Sequence, residues 1–171
     1  MNICGYYPES INEGEGLRAV VFISGCRHRC PECFNPATWN FNYGEVFTLE
    51  RQREIITEIA ANPLLDGLTL AGGDPFFSAE ETVEFIHELR TALPGFPIWI
   101  YSGYTYEEIT AVPGSPEGKL LAECQVLIDG RFVQNLKDTT LHYRGSSNQR
   151  IIDIPASIAC HEVIHWQPSA L

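Results

Sequence analysis

The segment Leu17-Arg-Ala-Val-Val-Phe-Ile-Ser-Gly-Cys26-Arg-His-Arg-Cys30-Pro-Glu-Cys33 joins a short apolar, β-branched run directly to a loop that carries three cysteines. Such a run, ended by Ser-Gly, predicts a buried strand over 17–23. In α/β proteins, ligands bind in the loops at the carboxyl ends of parallel strands. The segment therefore predicts an α/β fold and also the part of the fold in which the site lies.

The rest of the chain repeats the order of strand, loop and helix. Further strands are predicted over 67–71, 97–101, 126–129 and 150–154. Helices are predicted over 48–62 with Thr48 as N-cap, over 78–93 with Ser78 as cap, and from Thr105 to about residue 111. Residues 111–123 contain Pro-Gly and Pro-Glu-Gly and are predicted to form a surface loop.

Alternation of strands and helices predicts parallel βαβ units. A closed eight-fold barrel needs roughly 200 residues or more, and this chain has 171. We therefore expect an α/β fold built as a partial, open (β/α) barrel. Residues 1–171 are expected to form one domain, in which 155–171 is a C-terminal tail without an assigned role.

Composition restricts the function classes. The formal net charge of −11 disfavours nucleic-acid binding, which usually needs a basic face. No apolar run approaches the roughly 20 residues of a membrane span, and the N-terminus lacks a signal-peptide pattern, so we expect a cytoplasmic protein. Clustered thiols in such a protein more often hold a metal than form disulfides. Cys4, Cys124 and Cys160 are isolated and are predicted to be incidental thiols.

The cysteine spacing C-x3-C-x2-C predicts a 4Fe–4S cluster held by Cys26, Cys30 and Cys33. Three thiolates leave one iron without a protein ligand, and an open coordination position is where a metal site performs chemistry. Two alternatives stay open. One is a zinc ion whose fourth ligand is His28 or a distant cysteine, and the other is an electron-transfer cluster closed by Cys4 or Cys124.

A second motif, Gly72-Gly73-Asp74-Pro75, directly follows the second predicted strand. Two glycines let the backbone approach a ligand with no Cβ between them. Their carbonyls and the Asp74 carboxylate could accept hydrogen bonds from an ammonium group. The tetrapeptide alone is ordinary turn chemistry, and its significance comes from its place one βα unit after the cysteine loop.

Together, the two motifs resemble the radical S-adenosylmethionine superfamily. The resemblance implies that the three cysteines hold the cluster and that S-adenosylmethionine binds at its open iron. It implies that the cofactor's amino group is held by Gly72, Gly73 and Asp74, although many members have Glu at the last position. Many members also carry an aromatic residue before the third cysteine, whereas here Glu32 precedes it and Phe34 follows it. The backbone from Glu32 through Cys33 to Phe34 is therefore the implied adenine contact.

Further blocks narrow the resemblance. They are Tyr6-Tyr7-Pro8 and the stretches 30–39, 128–138 and 144–149, the last reading Arg-Gly-Ser-Ser-Asn-Gln. Over roughly residues 2–152 the chain is similar to activases of glycyl-radical enzymes, in particular those acting on anaerobic ribonucleoside-triphosphate reductases. This implies an external one-electron reductant such as a flavodoxin, reductive cleavage of S-adenosylmethionine, and a 5′-deoxyadenosyl radical that generates a glycyl radical on the large reductase subunit.

Several assignments remain as alternatives. Arg131, after the fourth predicted strand, is the implied partner of the cofactor carboxylate. Residues 27–29 either place positive charge near the cluster or face solvent. Arg144, Asn148, Gln149 and Arg150 either have a functional role, shaping the site mouth or contacting the reductase, or cap a loop. Other possible functions are an activase of a different glycyl-radical enzyme, an enzyme acting on a small metabolite, or a non-enzymatic zinc or iron–sulfur interaction module.

Overall fold

The structure is a computed structural model, and it describes residues 1–168. Its centre is a seven-stranded mixed sheet with the order β3-β1-β2-β4-β5-β6-β7, which leaves β3 and β7 as edges and is not closed. The strands are β1 (Asn2–Ser10), β2 (Arg18–Ile23), β3 (Glu45–Val46), β4 (Gly67–Gly72), β5 (Ile98–Tyr101), β6 (Val126–Asp129) and β7 (Arg150–Asp153).

Four neighbouring strands, β2, β4, β5 and β6, are parallel, as the strand–helix alternation predicts. They are buried along nearly their whole length, which explains their continuous apolar sequences. The helices are α1 (Leu49–Ala61), α2 (Ala79–Ala92), α3 (Tyr106–Thr110), α4 (Pro116–Ala122) and α5 (Ile154–Cys160). Ile55, Phe85 and Leu120 join the strands in one apolar core, and each such side chain contributes roughly 1.5–3 kcal/mol on burial.

The predicted helix starts are largely confirmed. The Thr48 hydroxyl accepts a hydrogen bond from the Arg51 amide at the start of α1, and Thr105 forms a capping box with Glu108 at α3. Ser78 occupies the N-cap position of α2, but its side chain makes no capping hydrogen bond, so that part of the prediction is wrong. The capping carboxylate in this region is Asp74, which accepts from the Phe76 amide. It caps the short 3-10 helix Pro75–Ser78 that directly precedes α2.

The loop predicted over 111–123 is wrong, because α4 lies within it. The Ser115 hydroxyl accepts a hydrogen bond from the Gly118 amide and begins this helix. Pro116 fits its first turn, where a backbone N–H has no helical partner to lose. Leu120 and Leu121 are buried in the core, so tertiary packing supports a helix whose sequence resembles a turn.

The fifth predicted strand exists as β7, but it runs antiparallel to β6 with Asp129 opposite Arg150. A parallel return requires a long crossover, usually a helix. The connecting residues 130–149 contain only a short 3-10 turn. Strand β7 therefore starts at the same end of the sheet at which β6 finishes. Strand β1, which pairs antiparallel with β2, and the short β3 were not predicted.

The predicted C-terminal tail folds back on the sheet. After α5, the Trp166 amide donates to the Ile151 carbonyl at 3.0 Å, and the Trp166 ring packs edge-on against Trp99 at 4.9 Å. The tail therefore covers the outer side of β7, and its last three residues lie outside the described part of the chain. No helix within residues 1–168 combines the length and apolar content that crossing a membrane requires.

Candidate functional site

The cysteine loop starts at the carboxyl end of β2, where the backbone turns sharply at Gly25 with φ of 106°. The Gly25 amide donates to the Thr38 carbonyl at 2.8 Å, and the Cys26 amide donates to the Trp39 carbonyl at 3.4 Å. The two ends of the loop are therefore held against each other. A side chain at position 25 would collide with Phe41, since a Cβ there would lie 2.3 Å from its ring.

The glycine pair at the end of β4 lies directly against this loop, as the shared sheet edge predicts. The Gly73 amide donates to the Ile23 carbonyl at 2.7 Å, and the Asp74 amide donates to the Gly25 carbonyl at 2.9 Å. A Cβ on Gly73 would lie 2.5 Å from the Gly25 carbonyl oxygen, and one on Gly72 would lie 2.5 Å from that of Ile23. Glycine is therefore required here by close backbone packing between two strand ends.

All three cysteines of the loop are free thiols; Cys26 is buried, while Cys30 and Cys33 are partly exposed. Between them, Arg29 and Glu32 adopt left-handed backbone conformations with φ of 49° and 55°, each costing about 1 kcal/mol or more. Such strain concentrates at functional sites. Burial raises the pKa of Cys26 to about 11, which argues against a free nucleophilic thiolate at neutral pH and suits a ligand that a metal deprotonates.

The surroundings of the thiols fit a cluster. Within residues 1–168, no three Cys, His, Asp or Glu side chains are grouped tightly enough to hold one metal ion, and a cubane needs no such group because each cysteine binds a different iron. Cys26, Arg27 and Trp39 line an open cleft of about 630 Å³. The Trp39 indole N–H is buried without a hydrogen-bond acceptor in the described residues, and N–H donors near cluster sulfurs tune such sites.

The isolated cysteines lie elsewhere or are engaged elsewhere. Cys124 is 1 % exposed and lies two residues before β6, at the opposite end of the parallel strands from the cysteine loop. Its Sγ donates to the Leu120 carbonyl at 3.4 Å. The Cys4 Sγ donates to the Phe22 carbonyl at 3.3 Å, and Cys160 is exposed at the end of α5.

Asp74 is bound entirely by protein groups. Its side chain is completely buried, with Oδ1 accepting from the Phe76 amide. Oδ2 accepts from His28 Nε2 at 2.8 Å, from the Ser102 hydroxyl at 2.9 Å and from the Gly103 amide at 2.9 Å. Three of these donors therefore bind Oδ2 and one binds Oδ1, and together they seal the carboxylate from solvent.

His28 is a site residue that the sequence left ambiguous between a charge near the cluster and a solvent-facing side chain. Its side chain is 4 % exposed and packs against the rings of Phe77 and Tyr104 at 5.1 and 4.5 Å. Besides its Asp74 contact, its Nδ1 accepts from Arg131 Nε at 3.2 Å. Both ring nitrogens are therefore engaged, and neither is open to a zinc ion in this structure.

Loop 130–149 reaches the cysteine loop through Arg131. The side-chain amide of Asn148 donates from Nδ2 to the Arg131 backbone carbonyl at 2.8 Å. The side-chain amide of Gln149 donates from Nε2 to the Gly130 backbone carbonyl at 2.9 Å. The Gln149 side-chain oxygen also accepts from the Gly145 and Ser146 amides. Of the two alternatives for residues 144–150, loop capping is therefore observed for Asn148 and Gln149.

The outer rim of the site is exposed and basic. Phe34 is 69 % exposed, packs on Phe132 at 4.9 Å and lies under the Lys137 ammonium at 5.3 Å; Glu32 is exposed beside it. Segments 26–42 and 130–149 hold five of the chain's 11 Lys and Arg residues and two acidic ones. This excess positive charge contrasts with a net charge of −11.

Arg150 belongs to an ion cluster at the start of β7. Its guanidinium donates two hydrogen bonds to the buried Asp129 carboxylate and two to Glu107, at 3.0 and 2.7 Å for the latter. The hydrogen bonds from Arg150 lower the pKa of Glu107 to about 2. This cluster joins β6, β7 and α3, so Arg150 has a structural role in the described chain.

Comparison with known proteins shows the family to which the chain belongs. Residues 12–152 match the family model described as a 4Fe-4S single cluster domain. The "Anaerobic ribonucleoside-triphosphate reductase-activating protein" of Escherichia coli strain K12 is 38 % identical over 152 residues, covering 87 % of this chain and 96 % of that protein. The proteins of the same name from Haemophilus influenzae and Enterobacteria phage T4 are 36 % and 35 % identical, covering 88 % of this chain and 97 % and 93 % of their own lengths. The chain therefore belongs to the family of anaerobic ribonucleoside-triphosphate reductase-activating proteins, with a 4Fe-4S single cluster domain.

Proposed function

We propose that this protein generates a glycyl radical on the large subunit of an anaerobic ribonucleoside-triphosphate reductase by reductive cleavage of S-adenosylmethionine at a 4Fe–4S cluster. One observation carries the proposal. A loop that carries three free cysteines begins directly beside a Gly-Gly-Asp strand end, whose backbone amides donate to the Ile23 and Gly25 carbonyls at 2.7 and 2.9 Å. A cluster with an open iron and a cradle for a charged cofactor would then lie side by side.

Each site residue has a proposed role. Cys26, Cys30 and Cys33 hold the cluster, and burial of Cys26 keeps water from one side of it. When bound and reduced, the cluster supplies one electron that splits S-adenosylmethionine into methionine and a 5′-deoxyadenosyl radical. The protein's contribution is placement and exclusion of water. That radical would take one hydrogen atom from the partner's glycine, which would give 5′-deoxyadenosine and the glycyl radical.

S-adenosylmethionine would be held by its charged ends. The strand-end segment of Gly72, Gly73 and Asp74 forms the proposed ammonium site, in which the glycine carbonyls are the acceptors. Arg131 is the proposed partner of the carboxylate, because its terminal nitrogens make no hydrogen bond within residues 1–168 and a guanidinium binds a carboxylate in a bidentate manner. The backbone from Glu32 to Phe34 is the proposed adenine contact.

The open rim suits a macromolecular partner. The sheet is not closed, so we propose that it is a partial barrel of the radical S-adenosylmethionine type whose open side admits the glycine-bearing segment of the reductase. The exposed Phe34 ring, the partly buried Phe132 ring beside it and the surrounding basic residues would contact that segment. A flavodoxin-like reductant and a cytoplasmic location complete the proposal.

The direct test uses the reductase large subunit. Under anaerobic conditions, the reconstituted protein, dithionite, S-adenosylmethionine and that subunit are mixed and examined by electron paramagnetic resonance. We expect a glycyl-radical signal that is absent with the Cys30→Ala variant. Cleavage of S-adenosylmethionine without a radical on the reductase would instead indicate an activase of another enzyme. A chain that takes up zinc and never cleaves the cofactor would indicate an interaction module.

A further inference from the structure

The hydrogen-bond pattern fixes the tautomer of His28. The Arg131 Nε–H can only donate, so the His28 Nδ1, 3.2 Å away, is the acceptor and carries no proton. In the neutral ring the proton therefore lies on Nε2, which faces Asp74 Oδ2 at 2.8 Å. Arg131 is itself held by Asn148, whose side-chain amide donates to the Arg131 backbone carbonyl. The Arg131 side chain then donates to His28, and His28 donates to Asp74.

The packing leaves the imidazole little freedom. Phe77 and Tyr104 contact the ring, and a Cβ on Gly103 would lie 2.4 Å from its Cδ2 atom. Gly103 also donates its amide to the same Asp74 oxygen. His28 is thus held by the ends of β4, β5 and β6, while its own backbone lies between Cys26 and Cys30.

We propose that His28 is a positioning residue, and that Asp74 acts on the cofactor site through His28 rather than by binding the cofactor's ammonium group. This inference rests on the proposed function. His28 ties the cysteine loop to the glycine-rich strand end, so the distance between the cluster ligands and the ammonium site is set before any cofactor binds. Asp74 already has four protein donors, and its side chain is completely buried, so the carboxylate has no exposed side that a cofactor could contact.

The test measures S-adenosylmethionine binding by equilibrium dialysis on the anaerobically reconstituted full chain. His28→Phe keeps a ring between Phe77 and Tyr104 but removes both hydrogen bonds, whereas His28→Gln restores a donor toward Asp74. We expect His28→Phe to raise the Kd about tenfold and His28→Gln to recover most of that loss. Iron content should stay at the wild-type level. His87→Phe is the matched control, because His87 also faces a carboxylate, that of Glu123. Glu123 lies just before β6, at the other end of the parallel strands from the cysteine loop.

A double-mutant cycle tests whether His28 and Asp74 act as one unit, as the inference requires. If Asp74 acts through His28, the double variant His28→Phe/Asp74→Asn binds about as weakly as the weaker single variant, since the two residues share one interaction. Independent effects that multiply to about a hundredfold loss would overturn the inference. Iron content that falls in parallel with affinity would also overturn it, because His28 would then only fold the loop.

Two further outcomes distinguish this inference from the proposed function. A wild-type protein with a full cluster that binds no S-adenosylmethionine overturns both. If the wild type binds and His28→Phe binds equally well, only the positioning role fails. If a variant does not fold, as judged by thermal unfolding, a crystal structure of the wild-type complex decides. We expect Asp74 to remain bonded to His28 there, and an Asp74 oxygen within hydrogen-bond distance of the cofactor ammonium would overturn the inference.

Discussion

The backbone amide of Gly73 donates a hydrogen bond to the carbonyl of Ile23 at 2.7 Å. This bond extends the parallel pairing of β2 and β4 one residue beyond the sheet, into the two loops that carry the candidate site. Main-chain geometry therefore fixes where the cysteine loop leaves the sheet, beside the glycine pair. The contact between the His28 and Asp74 side chains then holds the middle of the loop.

Gly73→Ala tests this contact. Its Cβ would lie 2.5 Å from the Gly25 carbonyl oxygen, so the two loops must separate, and we expect a loss of about 1–3 kcal/mol in the free energy of unfolding. Denaturant unfolding and S-adenosylmethionine binding are the measurements. Gly5→Ala is the control, since its Cβ would meet only a Phe22 ring atom at 3.7 Å. Equal stability and binding in both variants would contradict the account.

The assignment of the cluster ligands predicts a contrast among the cysteines. Cys4→Ser, Cys124→Ser and Cys160→Ser should each retain about four irons per chain after reconstitution, whereas Cys30→Ala should lose the cluster. The reason is that the Cys4 and Cys124 thiols already donate to the carbonyls of Phe22 and Leu120, which are not part of the cysteine loop. A folded Cys4 or Cys124 variant without a cluster would instead support a four-cysteine electron carrier.

The proposed partner surface predicts a separation of two activities. Phe34→Ser should lower the rate of glycyl-radical formation on the reductase about tenfold, because an exposed aromatic contact is lost. Uncoupled cleavage of S-adenosylmethionine should change much less. Leu64→Ser is the control, since Leu64 is 71 % exposed but lies before β4, at the other end of the parallel strands from the cysteine loop. Loss of both activities in Phe34→Ser would place the side chain at the cofactor instead.

The Arg150 ion cluster predicts an acid-labile contribution to stability. Hydrogen bonds from Arg150 lower the folded-state pKa of Glu107 from 4.5 to about 2. The contribution is therefore complete above about pH 4.5 and lost as the pH falls toward 2. Because the Glu107 side chain is 59 % exposed, we expect only about 1 kcal/mol. Unfolding of Glu107→Gln should lack this pH dependence, and parallel curves for the two proteins would contradict the assignment.

The fold was largely predictable where local signals and burial agree. β2, β4, β5 and β6 are apolar runs ended by turn residues, and both features are local. β1 was missed because it is a half-exposed strand with bulges after Ile3 and Tyr7, which break the alternation of buried and exposed residues. α4 was missed because Pro116 and Gly118 suggest a turn, and only burial of its leucines favours a helix.

The grouping of the candidate site residues was predictable from the sequence, but their hydrogen bonds were less so. Spacing alone brings the three cysteines together, and the shared sheet edge brings Gly73 beside them. The contact of His28 with Asp74 spans 46 residues and that with Arg131 spans 103. Such contacts depend on where the strand ends meet in space, and no local pattern in the sequence encodes them.

The most direct test of the central claim is cofactor cleavage at this cluster. The anaerobically reconstituted protein is reduced with dithionite in the presence of S-adenosylmethionine and the reductase large subunit, and 5′-deoxyadenosine is quantified beside Cys30→Ala. The account predicts product with the wild type and none with the variant. A fully loaded, reduced wild-type cluster that yields no 5′-deoxyadenosine with the partner present would contradict it.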